Sequence, residues 1–130
     1  MKLSNLTKGR VVINKLNIAE SFFERLKGFM FKPKIEEDEG LLIKGCNSIH
    51  MFFMKFPIDV IFLKTTSKTC NKSGSSVIGK SKYIYKVVRI IENIKPWRIS
   101  PYVSAADSVL EIKSRTSGNS ISLDDELEVV

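Results

Sequence analysis

One stretch of the sequence, SIHMFFMKFPIDVIFL at residues 48–63, sets titratable side chains among large apolar residues. It contains His50, the single histidine of the chain, and Asp59, and Cys46 lies just before it. An imidazole beside a carboxylate could act as a general base that the carboxylate orients, and a nearby thiol could act as a nucleophile. The alternative is that backbone or loop donors satisfy each polar group, which then only fixes the fold, because buried polar groups are rarely unpaired. The residue types alone leave both interpretations open.

Metal binding is a second chemistry that this stretch suggests. The spacing of Cys46, His50 and Met54 is close to that of a copper-binding loop. A blue-copper site needs two histidines and a thiolate, and one histidine cannot build it. A looser soft-metal site stays open, but we predict no metal and no cofactor. The sequence also lacks a nucleophile elbow, a phosphate-cradling glycine loop and an H-E-x-x-H motif.

The elements that must position these residues are short strands. Apolar and alternating runs bounded by glycine, proline and polar residues are typical of strands at hairpin-like spacing. They predict strands at residues 11–16, 40–46, 49–54, 58–63, 83–94, 109–112, 121–123 and 127–130. Between the first two, Ser21 and Glu24 form a capping box, and apolar residues recur at helical spacing, which predicts one helix over about 20–28.

These elements predict the fold class and the domain organisation. We expect a single domain over residues 1–130, mainly β, folded as a small antiparallel β-barrel or sandwich with one short N-terminal helix. Residues 64–82 are rich in Lys, Ser and Thr, and we expect an exposed loop or hairpin tip there.

The strand assignment also predicts how His50 and Asp59 lie relative to each other. Side chains alternate between the faces of a strand, so a hairpin that turns at KFP could place both residues on one face, within roughly 5–8 Å. A turn with an odd number of residues would separate them by a face, and Pro57 leaves the turn type open.

Charge and composition limit the classes of partner. The net charge is +7, and the basic excess lies in the middle of the chain, where residues 44–102 carry eleven basic and two acidic side chains. Such an excess can attract nucleic acid, but the lysines are scattered and no aromatic or Arg-rich nucleic-acid motif accompanies them. We therefore rank nucleic acid below a small molecule or a protein as the partner. No apolar run approaches the ~20 residues of a membrane span, and no secretory signal is visible, so we expect a cytoplasmic protein without membrane insertion.

The run GLLIKGCNSIHMFFMKFPIDVIFL, with FFERLKGFM before it and VVRIIENIKPWR and SVLEI after it, resembles the domain of unknown function 192 (DUF192) family. The resemblance extends from about residue 18 to residue 127 and implies a compact, mainly β fold with one short helix. It implies no biochemical activity. The family's motif positions correspond to Arg25, Gly28, Met30, Gly40, Cys46, Ile49, His50, Phe53, Met54, Pro57, Asp59, Phe62, Pro96, Trp97, Arg98 and Glu111.

The chain departs from the family pattern at three places. Met51 replaces a small hydroxylated residue after the histidine, which weakens any inference of a shared catalytic site. Asp124 and Asp125 replace a glycine–aspartate turn, so a position with positive φ there could be filled by another residue. Residues 64–82 form a longer segment than usual.

Three functional hypotheses follow. The first is a binding module for a small ligand, a peptide or a partner protein, with a cleft near His50 and with Met54, Trp97, Arg98 and Arg25 as binding residues. The second is a small hydrolytic enzyme in which His50, Asp59 and Cys46 are the catalytic candidates. The third, nucleic-acid binding through the basic middle of the chain, is the least supported.

Overall fold

The fold is seen in a computed structural model that describes residues 1–21, 29–30, 32–69, 82–116 and 120–130. The predicted helix over 20–28 falls almost entirely outside these ranges, as do Arg25 and Cys70. Glu20 and Ser21 are described and are not helical. No helix in the described ranges is long and apolar enough to cross a membrane.

Eight strands form one sheet in the described part of the chain, in the order β2-β1-β8-β6-β5-β7-β4-β3. All neighbouring strands pair antiparallel except β3 and β4, which are parallel, so the sheet is mixed rather than purely antiparallel. A parallel pair needs a long crossover, and residues 20–38 provide it. The strands are β1 (Leu3–Asn5), β2 (Arg10–Ile13), β3 (Lys15–Ala19), β4 (Glu39–Lys44), β5 (Ile58–Thr69), β6 (Lys82–Ile94), β7 (Ser108–Lys113) and β8 (Glu126–Val129).

One face of the sheet builds a core to which every strand contributes. The sheet curls around this core, because the two edge strands β2 and β3 are separated in the chain only by Asn14. A closed barrel or a sandwich is not confirmed, since the sheet keeps two edge strands. This inner cluster comprises Leu3, Ile13, Leu16, Leu42, Ile61, Leu63, Tyr85, Val87, Leu110, Ile112, Ile121 and Leu127.

Among the described residues, irregular segments rather than a second sheet cover the opposite face of the sheet. Both faces of β5 are therefore covered, and its residues from Ile58 to Leu63 are fully buried. This explains why the segment reads as a continuous apolar run instead of an alternating one. The outer cluster on this face comprises Ala19, Phe29, Ile35, Leu41, Ile43, Ile49, Met51, Met54, Ile58, Val60, Phe62, Ile94, Ala106 and Val109.

Most of the predicted strands are confirmed, at β4 to β8. The predicted strand over 11–16 is two strands, because the chain changes partner at Asn14, from β1 to β4. The prediction of a strand over 121–123 is wrong: Ser122 lies in a turn in which its carbonyl accepts a hydrogen bond from Asp125 N. In the segment 64–82, residues 64–69 belong to β5 and residue 82 begins β6, while residues 70–81 lie outside the described ranges.

The prediction of a strand over 49–54 is also wrong. His50 forms only an isolated antiparallel bridge with Ile99. The segment then turns, because Phe53 has a φ of 61° and Met54 N bonds to Met51 O. The inner β-ribbon expected around the imidazole is thus a loop that packs against the sheet.

Candidate functional site

Two long loops meet above the outer cluster: residues 45–57, between β4 and β5, and residues 95–107, between β6 and β7. We call them the platform loops. Met51 lies at their junction, where its N donates to Arg98 O at 2.7 Å and its O accepts from Trp97 N at 2.8 Å. Ser100 N donates to Ile49 O at 2.9 Å. These bonds, with the His50–Ile99 bridge, fasten two segments that are distant in sequence into one unit.

Buried side chains fix the platform loops from below. Ile49, Met51 and Met54 are buried and belong to the outer cluster. The hydroxyl of Ser100, itself buried, accepts a hydrogen bond from Ile49 N at 2.8 Å. Val103 N adds a bond to Asn47 O at 3.0 Å. Backbone groups and apolar anchors therefore hold the loops in one conformation on a rigid sheet.

The upper side of the loops exposes a cluster of rings, which we call the aromatic platform: His50, Phe52, Phe53 and Trp97. Phe52 is 38% exposed, Phe53 49% and Trp97 60%. Trp97 lies 6.0 Å from Phe52 and 5.1 Å from Phe53 between ring centroids, the latter edge to face, and His50 lies 5.1 Å from Phe52. Ile99, also exposed, extends the apolar surface.

Two of these aromatic residues have a backbone conformation that L-residues avoid. φ is 61° at Phe53 and 67° at Trp97. The left-handed region costs a residue with a side chain roughly 1–2 kcal/mol, and glycine adopts it without that cost. Such strain concentrates at functional sites, where the surrounding structure enforces it. Glycine would adopt both turns with less backbone strain. The turns alone therefore do not explain why aromatic residues occupy these two positions.

Basic side chains border the aromatic platform. Lys55 and Lys95 are exposed and lie two residues from Phe53 and Trp97, and Arg98 is exposed beside Trp97. None of the three forms an ion pair with a residue that the structure describes. We call these three side chains the rim cations, because each belongs to the loops that display the rings and lies one or two residues from Phe53 or Trp97 in the sequence.

The three catalytic candidates have separate partners. The Nδ1 atom of half-buried His50 accepts a hydrogen bond from Phe52 N at 3.3 Å. Asp59 is fully buried at the start of β5, and its Oδ1 accepts from Asn93 N at 2.8 Å. Half-buried Cys46 donates its thiol to Ser48 O at 2.8 Å. Among the described residues, His50 makes no hydrogen bond to Asp59 or Cys46.

The predicted binding residues lie in different environments. Trp97 and Arg98 lie exposed on the platform, whereas Met54 is buried beneath it as an anchor. Arg25 lies outside the described ranges. Within those ranges, no group of three or more His, Cys, Asp or Glu side chains is arranged to hold a metal ion.

The sequence analysis named Glu111 as a motif position but did not predict that this acid is buried. Glu111 lies on β7 between Leu41 of β4 and Val60 of β5, and its Oε2 is buried without a hydrogen-bond partner among the residues that the structure describes. It shares the face of Val109, so its carboxyl lies on the side that the platform loops cover. Desolvation by burial raises its pKa to about 8. The sequence feature that could have revealed this buried acid is a carboxylate within the apolar strand VLEI.

Comparisons with known proteins agree with this architecture. The DUF192 family model, described as an uncharacterized ACR, matches residues 4–73, which is more than half of the chain. A UPF0127 protein from Thermococcus sibiricus is 40% identical over 68 residues, which are 49% of this chain and 44% of that protein. The chain therefore spans less than half the length of this relative.

Two solved structures have similar folds. A protein of unknown function from Novosphingobium aromaticivorans superposes with a TM-score of 0.72, at 21% identity, over 98% of this chain and 82% of that one. A protein from Sinorhizobium meliloti, described as a candidate transcription regulator, gives a TM-score of 0.67 at 20% identity, over 97% and 88% of the two chains. Likeness at this identity shows the fold alone.

Proposed function

The chain belongs to the DUF192 family, and from that premise we propose that it is a binding module that recognises a polypeptide partner through the aromatic platform. One observation carries the proposal: exposed Phe53 and Trp97 are held edge to face at positive φ by a hydrogen-bonded pair of loops. A fold that needed only two turns would be more stable with glycine at both positions. Contacts with a partner therefore best explain why exposed aromatic rings occupy these strained positions.

The shape of the surface supports a polypeptide rather than an enclosed small molecule. The rings lie on outward turns, and exposed Ile99, which pairs with His50, adds an aliphatic side chain next to them. Aromatic residues dominate the binding energy of protein interfaces, and a preorganised surface loses little conformational entropy on binding. The platform combines both properties, because its backbone is already fixed by the bonds around Met51.

The hydrolytic alternative has less support. It requires His50 to act with Asp59 or Cys46, and each of these residues has a different described partner. Nucleic-acid binding remains the third hypothesis, since bases can stack on exposed rings. Both alternatives give distinct results in the experiments below. We also propose a cytoplasmic setting, which cell fractionation would test.

Phage display of random dodecapeptides tests the proposal. The wild-type protein is the bait, and phage that bind the Phe53→Gly/Trp97→Gly variant are subtracted. Truncating an interface hot spot costs about 2 kcal/mol or more, so we expect selected peptides to bind the wild type at least ~30-fold more tightly than the variant.

The matched control is Leu6→Gly/Leu123→Gly, which removes two exposed apolar side chains from turns elsewhere. It should bind the selected peptides as the wild type does, and thermal melting of all three proteins shows that each is folded. Peptides that bind wild type and platform variant equally, or a selection that yields none specific for the wild type, would refute the proposed function.

A further inference from the structure

We infer that the partner segment is acidic: an extended polypeptide in which carboxylates flank an aromatic or aliphatic anchor. This inference rests on the proposed function and adds the partner's charge. The anchor would contact Phe53 and Trp97, and the carboxylates would lie opposite Lys55, Lys95 and Arg98. The unpaired cations at the rim of the platform carry the argument.

The first step is the pairing of cations elsewhere in the molecule. Five lysines of the described ranges make ion pairs: Lys8 with Asp125, Lys32 with Glu39, Lys34 with Glu36, Lys44 with Glu20, and Lys86 with Asp124. Lys55, Lys95 and Arg98 have no such partner within that part of the chain. Within the part of the chain that the structure describes, three cations of the platform loops therefore have no compensating acid, as is also the case for Lys2, Lys15 and Lys64 elsewhere.

The second step is the scarcity of acids in the platform loops. Asp107, at the end next to β7, is the one acid in them, and its carboxylate accepts hydrogen bonds from Thr65 N and Thr65 Oγ1. Residues 44–58 and 93–106 contain no aspartate or glutamate. Of the acids just outside these ranges, Asp59 and Glu111 are buried, and exposed Glu92 on β6 forms no ion pair with Lys95, Lys55 or Arg98. An anionic partner would therefore meet attraction from three cations and little repulsion, and such complementarity raises both association rate and specificity.

The third step distinguishes a polypeptide from single-stranded nucleic acid. Proteins that bind single strands combine a basic groove along the backbone with open ring faces on which bases stack. Here Phe53 and Trp97 already meet edge to face, which covers a ring face, and exposed Ile99 offers an aliphatic surface that suits a side chain. These features favour an acidic peptide.

The peptide selection described above also tests this inference. It is repeated with the Lys55→Gln/Lys95→Gln/Arg98→Gln variant and with the control Lys2→Gln/Lys15→Gln/Lys64→Gln, which removes three exposed cations elsewhere. We expect Asp and Glu to be enriched in peptides selected by the wild type and the control, but not in those selected by the rim variant. Aromatic residues should be enriched in all three.

Affinity measurements complete the test. For the tightest wild-type peptide, replacing its acids by Gln and Asn should weaken binding at least ~10-fold at low salt, and this difference should shrink at about 1 M NaCl, where charges are screened beyond roughly 3 Å. Wild-type-specific peptides without acid enrichment would overturn the inference and leave the proposed function intact. If no peptide is specific for the wild type, but a twelve-nucleotide oligouridylate binds and requires Phe53 and Trp97, both proposals fail.

Discussion

At the scale of single residues, Glu111 has the most unusual environment. It is a carboxylic acid on a strand between Leu41 and Val60, and burial raises its pKa from 4.5 to about 8. The native state therefore binds its proton more tightly than the unfolded chain does. The stabilisation is complete below the unfolded value of 4.5 and is lost as the pH rises to about 8.

Replacing this acid should remove that pH dependence. One pKa unit corresponds to 1.36 kcal/mol, so the wild type should lose about 3–5 kcal/mol of unfolding free energy between pH 4.5 and 8 relative to Glu111→Gln. Urea unfolding at several pH values measures this, with Glu126→Gln at an exposed position as control. A wild-type minus Glu111→Gln difference that is the same at every pH would contradict the assignment.

At the scale of elements, different residues of the platform loops stabilise the fold and form the exposed surface. Met51 is fully buried beneath them, whereas Phe52, the next residue, is exposed. Truncating a buried large side chain typically costs 2–5 kcal/mol, while a surface truncation changes stability by less than about 0.5–1 kcal/mol. Buried residues that support the loops therefore alternate in the sequence with exposed residues that form their surface.

Two alanine variants test this division. Met51→Ala should lower the unfolding free energy by about 2–5 kcal/mol, and Phe52→Ala should lower it by less than about 1 kcal/mol. Chemical denaturation measures both, and the slope of unfolding free energy against denaturant shows whether the folded state stays compact. Equal losses in the two variants would mean that the exposed rings are part of the core after all.

At the scale of the whole molecule, the sequence predicted the sheet better than the site. Apolar runs revealed β4 to β8, and the replacement of a glycine by Asp124 correctly suggested a positive φ, which is 66° there. The prediction of a strand over 49–54 failed, because apolar content alone does not distinguish a strand from a loop whose side chains Ile49, Met51 and Met54 are buried.

The candidate site was harder to predict, because it depends on contacts between distant segments. The sequence suggested Trp97 and Arg98 as binding residues, and this stays a prediction. The contact of residues 97–100 with residues 49–51 requires backbone bonds that no local sequence pattern shows. Phe52 and Phe53 were read as strand residues, since residue type does not distinguish a buried ring from a displayed one. The unpaired state of the rim cations likewise depends on where the acids lie in three dimensions.

The central claim is that the strained rings serve recognition rather than folding, and one measurement tests it most directly. Calorimetric titration of the tightest selected dodecapeptide into wild type and Phe53→Gly/Trp97→Gly gives the affinities, and a melting curve of each protein accompanies it. The loss of ring contacts and the relief of strain at two left-handed positions should offset each other. We predict an affinity loss of at least ~30-fold with a melting temperature changed by less than about 5 °C. Unchanged affinity, or an affinity lost only because the variant unfolds, would contradict the account.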